Sequence, residues 1–138
     1  MRIVLLFDID GTLVLTGGAG RRAMVGAFAR RHGRDDVFEG TSFAGMTDRA
    51  IVRHGLRVLG AAGGRELDTE DEIDRTLDVY LDRLEDELGR ADAYQVLPGV
   101  AQVLERVGGS PDVAVGLGTG NVRRGAVAKL SRGGIEGA

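Results

Sequence analysis

A short apolar run that ends in two carboxylates constrains the fold of this chain more than any other stretch. Residues 3–7 (IVLLF) are five consecutive apolar residues, and residues 8–12 continue as DIDGT. The run predicts a short strand that is buried on both faces of a parallel sheet and carries the acids at its carboxyl end. Ligands of open α/β sheets bind at that end. Since Asp8 and Asp10 are two residues apart, a continuing pleat would point both side chains the same way.

The residue types in 8–12 also allow two other interpretations. Asp and Gly are common in polar turns, where they serve the turn geometry alone. Calcium-binding loops use spaced aspartates and a glycine too, but their glycine is the sixth residue and a helix precedes the loop. Here Gly11 is the fourth residue and follows a predicted strand. The calcium loop is therefore disfavoured, and the polar turn stays open.

A second apolar run, residues 113–117 (VAVGL), predicts another short buried strand. It is followed by Gly118-Thr119-Gly120-Asn121 and then by a predicted helix. A hydroxyl, a glycine and the backbone amides at a helix amino terminus can form a cradle for an anion. An ordinary strand-to-helix turn would use the same residues.

The region between the two runs is predicted to be helical. Residues 16–20 (TGGAG) form a flexible glycine cluster, after which apolar residues fall at helical spacing over 20–31. Capping residues predict two further helices, one starting at Thr47 or Asp48 and one at Thr69. Three amphipathic helices of this kind can bury their apolar stripes against each other as a small bundle.

The predicted elements divide the chain into a discontinuous α/β core and a helical insertion. Residues 1–16 and 93–138 carry the two predicted strands, and residues 17–92 carry the bundle. Within the second core segment, Pro98 is predicted to be the first residue of a helix, a position where proline is tolerated. The fold class is therefore α/β.

Composition excludes several classes of function. The chain has 138 residues, is 43% hydrophobic and 28% charged, and carries a net charge of −3, so we expect one globular domain without a basic surface for nucleic acid. It has neither cysteine nor an apolar run long enough for a membrane span. The sequence starts directly with a strand rather than with a signal-type segment, which makes the cytoplasm the expected location. The basic residues are 17 arginines and a single lysine, Lys129.

The two strand ends resemble motifs of a known enzyme superfamily. The apolar run with DIDGT resembles motif I of the haloacid dehalogenase (HAD) superfamily of phosphohydrolases, which reads hydrophobic run, Asp, x, Asp, Gly, Thr. The strand that ends in Thr119-Gly120-Asn121 resembles motif II in a form common among phosphatases of the phosphoglycolate phosphatase type. Residues 98–100 (PGV) and the helix start at residues 45–48 (GMTD) are also similar to that group. The resemblance implies a Rossmann-like parallel-sheet core with an α-helical cap inserted after the first strand.

The same resemblance implies a Mg²⁺-dependent phosphatase that acts on a small phosphorylated metabolite. Asp8 would be the nucleophile that forms an aspartyl-phosphate, and Asp10 would act as the general acid and base. Family precedent assigns the Mg²⁺ ion to the Asp8 side chain and the Asp10 main-chain carbonyl. A carboxylate that approaches a phosphate dianion is repelled by it, which is why the reaction needs a cation.

Further site residues follow from the resemblance. Thr119 would join the catalytic residues and hold the transferring phosphoryl group, with the amides of Gly120 and Asn121. Gly11 and Thr12 would bind the substrate.

Lys129 would supply the basic residue that the superfamily places beside the phosphate. It lies about two helical turns, roughly 12 Å along the axis, beyond Thr119. It is therefore interpreted either as this catalytic residue or as a plain surface lysine.

The chain departs from the family pattern after motif II. The Gly-Asp-x-x-x-Asp region that supplies a further magnesium-binding acid is absent after Thr119. We therefore expect a truncated core, similar to the first two thirds of such an enzyme, in preference to a degenerate gene product that relies on a partner.

The residues bear on three alternatives to a phosphatase. Asp10 disfavours a dehalogenase, which has no use for a second acid. A sugar phosphomutase of the same superfamily, and a non-catalytic fragment that binds phosphate or a protein partner, stay open. The sequence leaves the substrate and the oligomeric state undetermined.

Overall fold

Two parallel strands form the centre of the α/β part of the fold. In a computed structural model that describes residues 1–135, strand β1 (Ile3–Phe7) pairs in parallel with β4 (Val113–Leu117). Phe7 lies opposite Leu117, and the amide of Gly118 extends the ladder with a 2.9 Å hydrogen bond to the carbonyl of Phe7. The loops that follow the two strands therefore leave the sheet side by side.

Helices make up most of the remaining chain. The other elements, in order, are β2 (Val14–Leu15), α1 (Ala19–His32), α2 (Asp48–Gly63), α3 (Glu70–Arg90), β3 (Gln95–Val96), α4 (Val100–Gly108) and α5 (Arg123–Arg132). No helix within residues 1–135 is both long enough and apolar enough to cross a bilayer. The predicted α/β architecture with helices between two parallel strands is confirmed.

The second sheet, which the sequence did not predict, consists of β2 and β3 alone. These two-residue strands pair antiparallel, with Val14 opposite Val96 and Leu15 opposite Gln95. Because β2 precedes α1 and β3 follows α3, this sheet holds together the two segments through which the chain enters and leaves the helical region.

The predicted caps at the starts of α2 and α3 are confirmed. The Thr47 hydroxyl accepts a hydrogen bond from the amide of Ala50 at the start of α2, and the Thr69 hydroxyl accepts one from the amide of Glu72 at the start of α3. Helix α1 ends at Gly33, which has a left-handed φ of 69°.

The prediction that Pro98 is the first residue of a helix is wrong. Helix α4 begins at Val100, and Gly99, with a φ of 84°, is its N-cap. The chain changes direction at Gly99 because glycine adopts a positive φ without steric cost, so Pro98 lies outside the helix.

The main hydrophobic core lies among the three long helices, as the apolar stripes predict. Helix α3 packs against α1, α2 and α5. The largest fully buried side chains of this core include Phe28, Phe38, Leu56, Ile73, Tyr80 and Leu84. The rings of Phe28 and Phe38 meet edge to face at 4.9 Å. A smaller cluster next to the sheet contains Ile9, Leu13, Val14, Val100, Ala126 and Leu130.

The prediction that β1 is buried on both faces is wrong. Ile3, Val4 and Leu6 are 48%, 65% and 66% exposed, and β4 is also partly exposed at Val115. The sheet to which β1 belongs has two strands within residues 1–135, and α4 packs against β4. An apolar strand becomes buried only where neighbouring elements cover it, and residues 1–135 leave most of β1 without such cover.

We expect equal substitutions in the two regions to have very different effects on stability. Leu84→Ala in the helical core should lower the free energy of unfolding by about 2–5 kcal/mol, because it leaves a cavity in a closely packed interior. Leu6→Ala, the same change on the exposed face of β1, should cost under about 1 kcal/mol. Urea unfolding followed by circular dichroism measures both values. Equal losses would contradict the exposed position of β1.

Candidate active site

One cavity of about 800 Å³ opens where β1 and β4 end. Five parts of the chain line it: the loop after β1, the loop after β4, the first turn of α1, the segment that leads into α2, and the side chain of Lys129 on α5. Both predicted strand ends therefore contribute to a single cavity, which also has the size of a small-molecule site.

Asp8 comes directly after the last residue of β1 and is exposed to the cavity. One of its carboxylate oxygens, Oδ1, accepts a hydrogen bond from the amide of Ile9 at 2.8 Å. The carboxylate has no other hydrogen bond or ion pair to residues 1–135. It is thus the acid of the site that is left open to a reaction partner.

Asp10 is held by two side chains, Asn121 from the loop after β4 and Lys129 from α5. The ammonium of Lys129 lies 2.9 Å and 3.0 Å from its two carboxylate oxygens, and Asn121 Nδ2 donates a 2.9 Å hydrogen bond to Oδ2. Ile9, between the two acids, is fully buried. Asp8 and Asp10, on either side of Ile9 in the sequence, both line the cavity, although β1 itself ends at Phe7.

Lys129 is buried, with 5% of its surface exposed. The interpretation as a plain surface lysine is therefore wrong. Its ammonium reaches back to the end of β1, where it pairs with Asp10. Helix α5 is held in place next to it by Tyr94, whose hydroxyl donates to the main-chain carbonyl of Lys129.

The loop after β4 has an internal hydrogen-bond network. Thr119 Oγ1 accepts from the main-chain amide of Asn121 at 3.1 Å and from Asn121 Nδ2 at 2.7 Å. A hydroxyl has two acceptor lone pairs and one donor. Since Asn121 occupies both lone pairs, the hydroxyl hydrogen of Thr119 is available to donate to an acceptor in the cavity.

Gly120 allows the helical region to approach this loop closely. A Cβ atom at this position would lie 2.9 Å from the main-chain oxygen of Met46 and 3.0 Å from the Cα of Thr47. Any larger residue would push the two segments apart. The predicted glycine of the cradle thus also has a packing role.

Asp48 is a site residue that the sequence did not reveal. It is buried, its Oδ2 accepts a 2.9 Å hydrogen bond from the amide of Val122, and its own amide donates to the carbonyl of Gly120 at 2.9 Å. Burial raises the pKa of the Asp48 carboxyl, and the nearby Asp10 adds to this, whereas the Val122 amide and Lys129 act in the opposite direction. The sequence indicated Asp48 only as a candidate helix cap within the GMTD segment.

Tyr80 on α3 lies behind the cavity wall, where a Cβ atom at Gly20 would be 4.0 Å from its hydroxyl. It is buried, and this burial raises the pKa of its phenol, with smaller contributions in the same direction from the charges of Asp48 and Asp10. The phenol is therefore neutral next to the acids of the cavity.

The cavity wall contains most but not all of the predicted residues. Asp8, Asp10, Thr119, Gly120, Asn121 and Lys129 line it. Gly11 and Thr12 do not, and Thr12 instead lines a smaller cavity beside Pro98. Their assignment to substrate binding stays a prediction. Arg21 and Phe43 line the main cavity without having been predicted.

The oxygen donors of the site suit a hard cation. The Asp8 carboxylate is open, whereas the Asp10 carboxylate is occupied by Lys129 and Asn121, which leaves the main-chain carbonyl as the donor that Asp10 can offer. Within residues 1–135 there is no group of three acids or histidines that could hold a metal. Such a donor set fits Mg²⁺, which keeps several of its water ligands in proteins.

Comparison with known proteins identifies the family. The family model of the haloacid dehalogenase-like hydrolases matches residues 4–137. A solved structure of a predicted phosphoglycolate phosphatase from Haemophilus somnus 129PT superposes with a TM-score of 0.64 at 17% sequence identity, which shows a shared fold. The alignment covers 98% of this chain, which spans 58% of the length of that one. No curated protein matches. Because the family model extends over nearly the whole chain, this protein belongs to the haloacid dehalogenase-like hydrolases.

Proposed function

We propose that this hydrolase is a Mg²⁺-dependent phosphatase that releases phosphate from a small phosphorylated metabolite through an aspartyl-phosphate intermediate. The observation that carries the proposal is the arrangement around one cavity: an open carboxylate, Asp8, lies in the same wall as a second carboxylate held by Lys129 and as the Thr119 hydroxyl. This arrangement supplies a nucleophile, a proton carrier and an oxyanion donor.

In the first step, an Asp8 oxygen attacks phosphorus and the bond from phosphorus to the leaving oxygen breaks. Asp10 enters this step as the neutral acid, gives its proton to the leaving alkoxide, and is left as the carboxylate that pairs with Lys129. Asn121 and Lys129 fix the position of the Asp10 carboxyl group through three contacts of 2.9–3.0 Å. Such positioning makes the proton transfer efficient, because the carboxyl group is already oriented and loses little conformational entropy in the reaction.

In the second step, water attacks the phosphorus of the aspartyl-phosphate and gives a proton to Asp10. The bond from phosphorus to the Asp8 oxygen then breaks, and inorganic phosphate leaves. Asp8 is then again a carboxylate and Asp10 again the neutral acid, so the cycle consumes one water and one phosphate ester.

The loop after β4 would hold the transferring phosphoryl group. The Thr119 hydroxyl can donate its hydrogen, because both lone pairs of Oγ1 accept from Asn121. Gly120 has no side chain, so a phosphoryl oxygen can approach its amide closely. The main-chain amide of Asn121, which the resemblance also assigned to the phosphoryl group, donates to Thr119 Oγ1 instead. Its role is thus to orient the Thr119 hydroxyl.

Mg²⁺, held by the Asp8 carboxylate and the Asp10 main-chain carbonyl, would reduce the repulsion between the nucleophile and the phosphate dianion. Residues 17–92 would form the cap that covers the cavity and selects the substrate. Support for the cap comes from Met46, Thr47 and Asp48, which bring the start of α2 into contact with the loop after β4. Closing a site in this way excludes water from the reacting groups.

Replacing the proposed nucleophile should abolish turnover. With Mg²⁺ and p-nitrophenyl phosphate, Asp8→Asn should lower kcat by roughly 10⁴-fold or more, since an amide cannot form the acyl phosphate. Asp112→Asn, at the opposite end of the same sheet, is the matched control and should keep full activity. EDTA should stop the reaction, and added Mg²⁺ should restore it. Metal-independent turnover, or turnover by Asp8→Asn, would refute the mechanism, and a complete lack of turnover would favour the non-catalytic alternative.

Removing the ammonium next to Asp10 should also slow the reaction. Lys129→Met keeps a linear side chain in the buried position but loses the charge that holds Asp10, and we expect kcat to fall roughly 10²- to 10³-fold. Circular dichroism establishes that the variant is folded. Normal kcat in a folded Lys129→Met protein would show that Lys129 has only a structural role.

A further inference from the structure

We propose that Arg21 forms a second anion subsite in the cavity, which binds a carboxylate or a second phosphate on the organic part of the substrate. The proposal rests on the proposed function for the position of the reacting phosphate, and it adds the class of substrate: small metabolites with an anionic group beyond the phosphoester.

Three contacts fix the guanidinium group of Arg21 at the cavity wall. Nη1 donates a 2.8 Å hydrogen bond to the carbonyl of Thr41, Nη2 donates a 2.6 Å bond to the carbonyl of Phe38, and the group lies over the ring of Phe43, 4.6 Å from its centre. A group that is held in this way loses little conformational freedom when a ligand binds. The site is therefore preorganised.

The guanidinium still has donors to offer. It carries five N–H groups in a planar fork, and the structure shows hydrogen bonds from two nitrogens, each to one carbonyl within residues 1–135. Neutral carbonyls leave its positive charge uncompensated. The planar fork matches the geometry of carboxylate and phosphate groups, with which arginine forms paired, charge-assisted hydrogen bonds.

Arg21 differs from neighbouring arginines in the ion pairs that it forms. Arg22 pairs with Glu87, and Arg49 pairs with Glu70 and Asp74. Arg21 has no carboxylate within 4.0 Å in the described part of the chain, although it faces the cavity. The other cation of the cavity wall, Lys129, is already paired with Asp10.

Cavity size agrees with a substrate that reaches both ends. A volume of about 800 Å³ exceeds what a phosphate group alone would fill, and Phe43 and Ile51 add apolar surface to its wall. A short carbon segment could lie against that surface while its two anionic ends meet the β4 loop and Arg21. Recognition of both ends would discriminate against phosphomonoesters of equal length whose other end is uncharged.

A binding experiment on the full chain tests the subsite without turnover. In the Asp8→Asn background with Mg²⁺, calorimetry compares 2-phosphoglycolate with ethyl phosphate, which replaces the carboxylate by a methyl group. Ethanediol bisphosphate provides the arm with a second phosphate. We expect at least one of the two doubly anionic ligands to bind roughly 10- to 100-fold more tightly than ethyl phosphate.

Substitutions then assign this preference to one residue. Arg21→Leu should remove most of the preference, and Arg21→Lys should keep part of it, since the charge remains but the planar fork is lost. Arg30→Leu, an exposed arginine on the same helix outside the cavity, is the matched control and should leave the preference unchanged. Thermal melting checks that the variants are folded.

The outcomes separate the subsite from the phosphatase. The subsite would be overturned if the doubly anionic ligands showed no preference over ethyl phosphate or no measurable binding. It would also be overturned if Arg21→Leu lowered the affinity for all three ligands equally, because Arg21 would then only brace residues 38–43. Turnover of p-nitrophenyl phosphate is measured separately with Asp8 intact. An Arg21-dependent preference without turnover would support the subsite and refute the phosphatase, whereas turnover without the preference would do the reverse.

Discussion

The parallel pairing of β1 with β4 is the constraint on which the rest of the site depends. Five residue pairs fix the register, from Ile3 opposite Val113 to Phe7 opposite Leu117. Parallel strands present their carboxyl ends at one edge, so the acids after Phe7 and the hydroxyl loop after Leu117 meet there. A shift of one residue would turn every side chain of a strand to the opposite face. The two acids that follow Phe7 would then be displaced relative to the loop after Leu117, and the buried position of Ile9 between them would be lost.

The helical region is joined to this edge by contacts that need a close fit. Asp48 binds the amide of Val122 through its side chain and the carbonyl of Gly120 through its own amide. Burying a carboxyl group costs free energy unless hydrogen bonds compensate, which agrees with the raised pKa of Asp48. At the start of the helical region, Gly17 and Gly18 have positive φ values of 66° and 82°. These glycines set the direction in which the chain enters α1, so backbone conformation and one buried acid together fix the proposed cap over the cavity.

Much of this arrangement could be predicted from the sequence because it is encoded locally. Apolar runs mark the two strands, Thr47 and Thr69 mark helix starts, and the residue types after each strand mark the site. Other features depend on contacts between distant segments. Asp48 meets Val122 across 74 residues, and strands of two residues, such as β2, are too short to show a hydrophobic period. The exposure of β1 depends on which elements cover it, and its own composition carries no information about that.

Lys129 shows how a single residue type can be informative in a biased composition. The chain uses arginine at 17 of its 18 strongly basic positions, yet a lysine occupies the buried one. An ammonium has three donors on a compact group, and it contacts both oxygens of the Asp10 carboxylate. A guanidinium would bring five donors into this space and would need more acceptors than Asp10 provides. Donor number thus favours lysine here, and the rarest basic residue of the sequence marks the buried centre of the site.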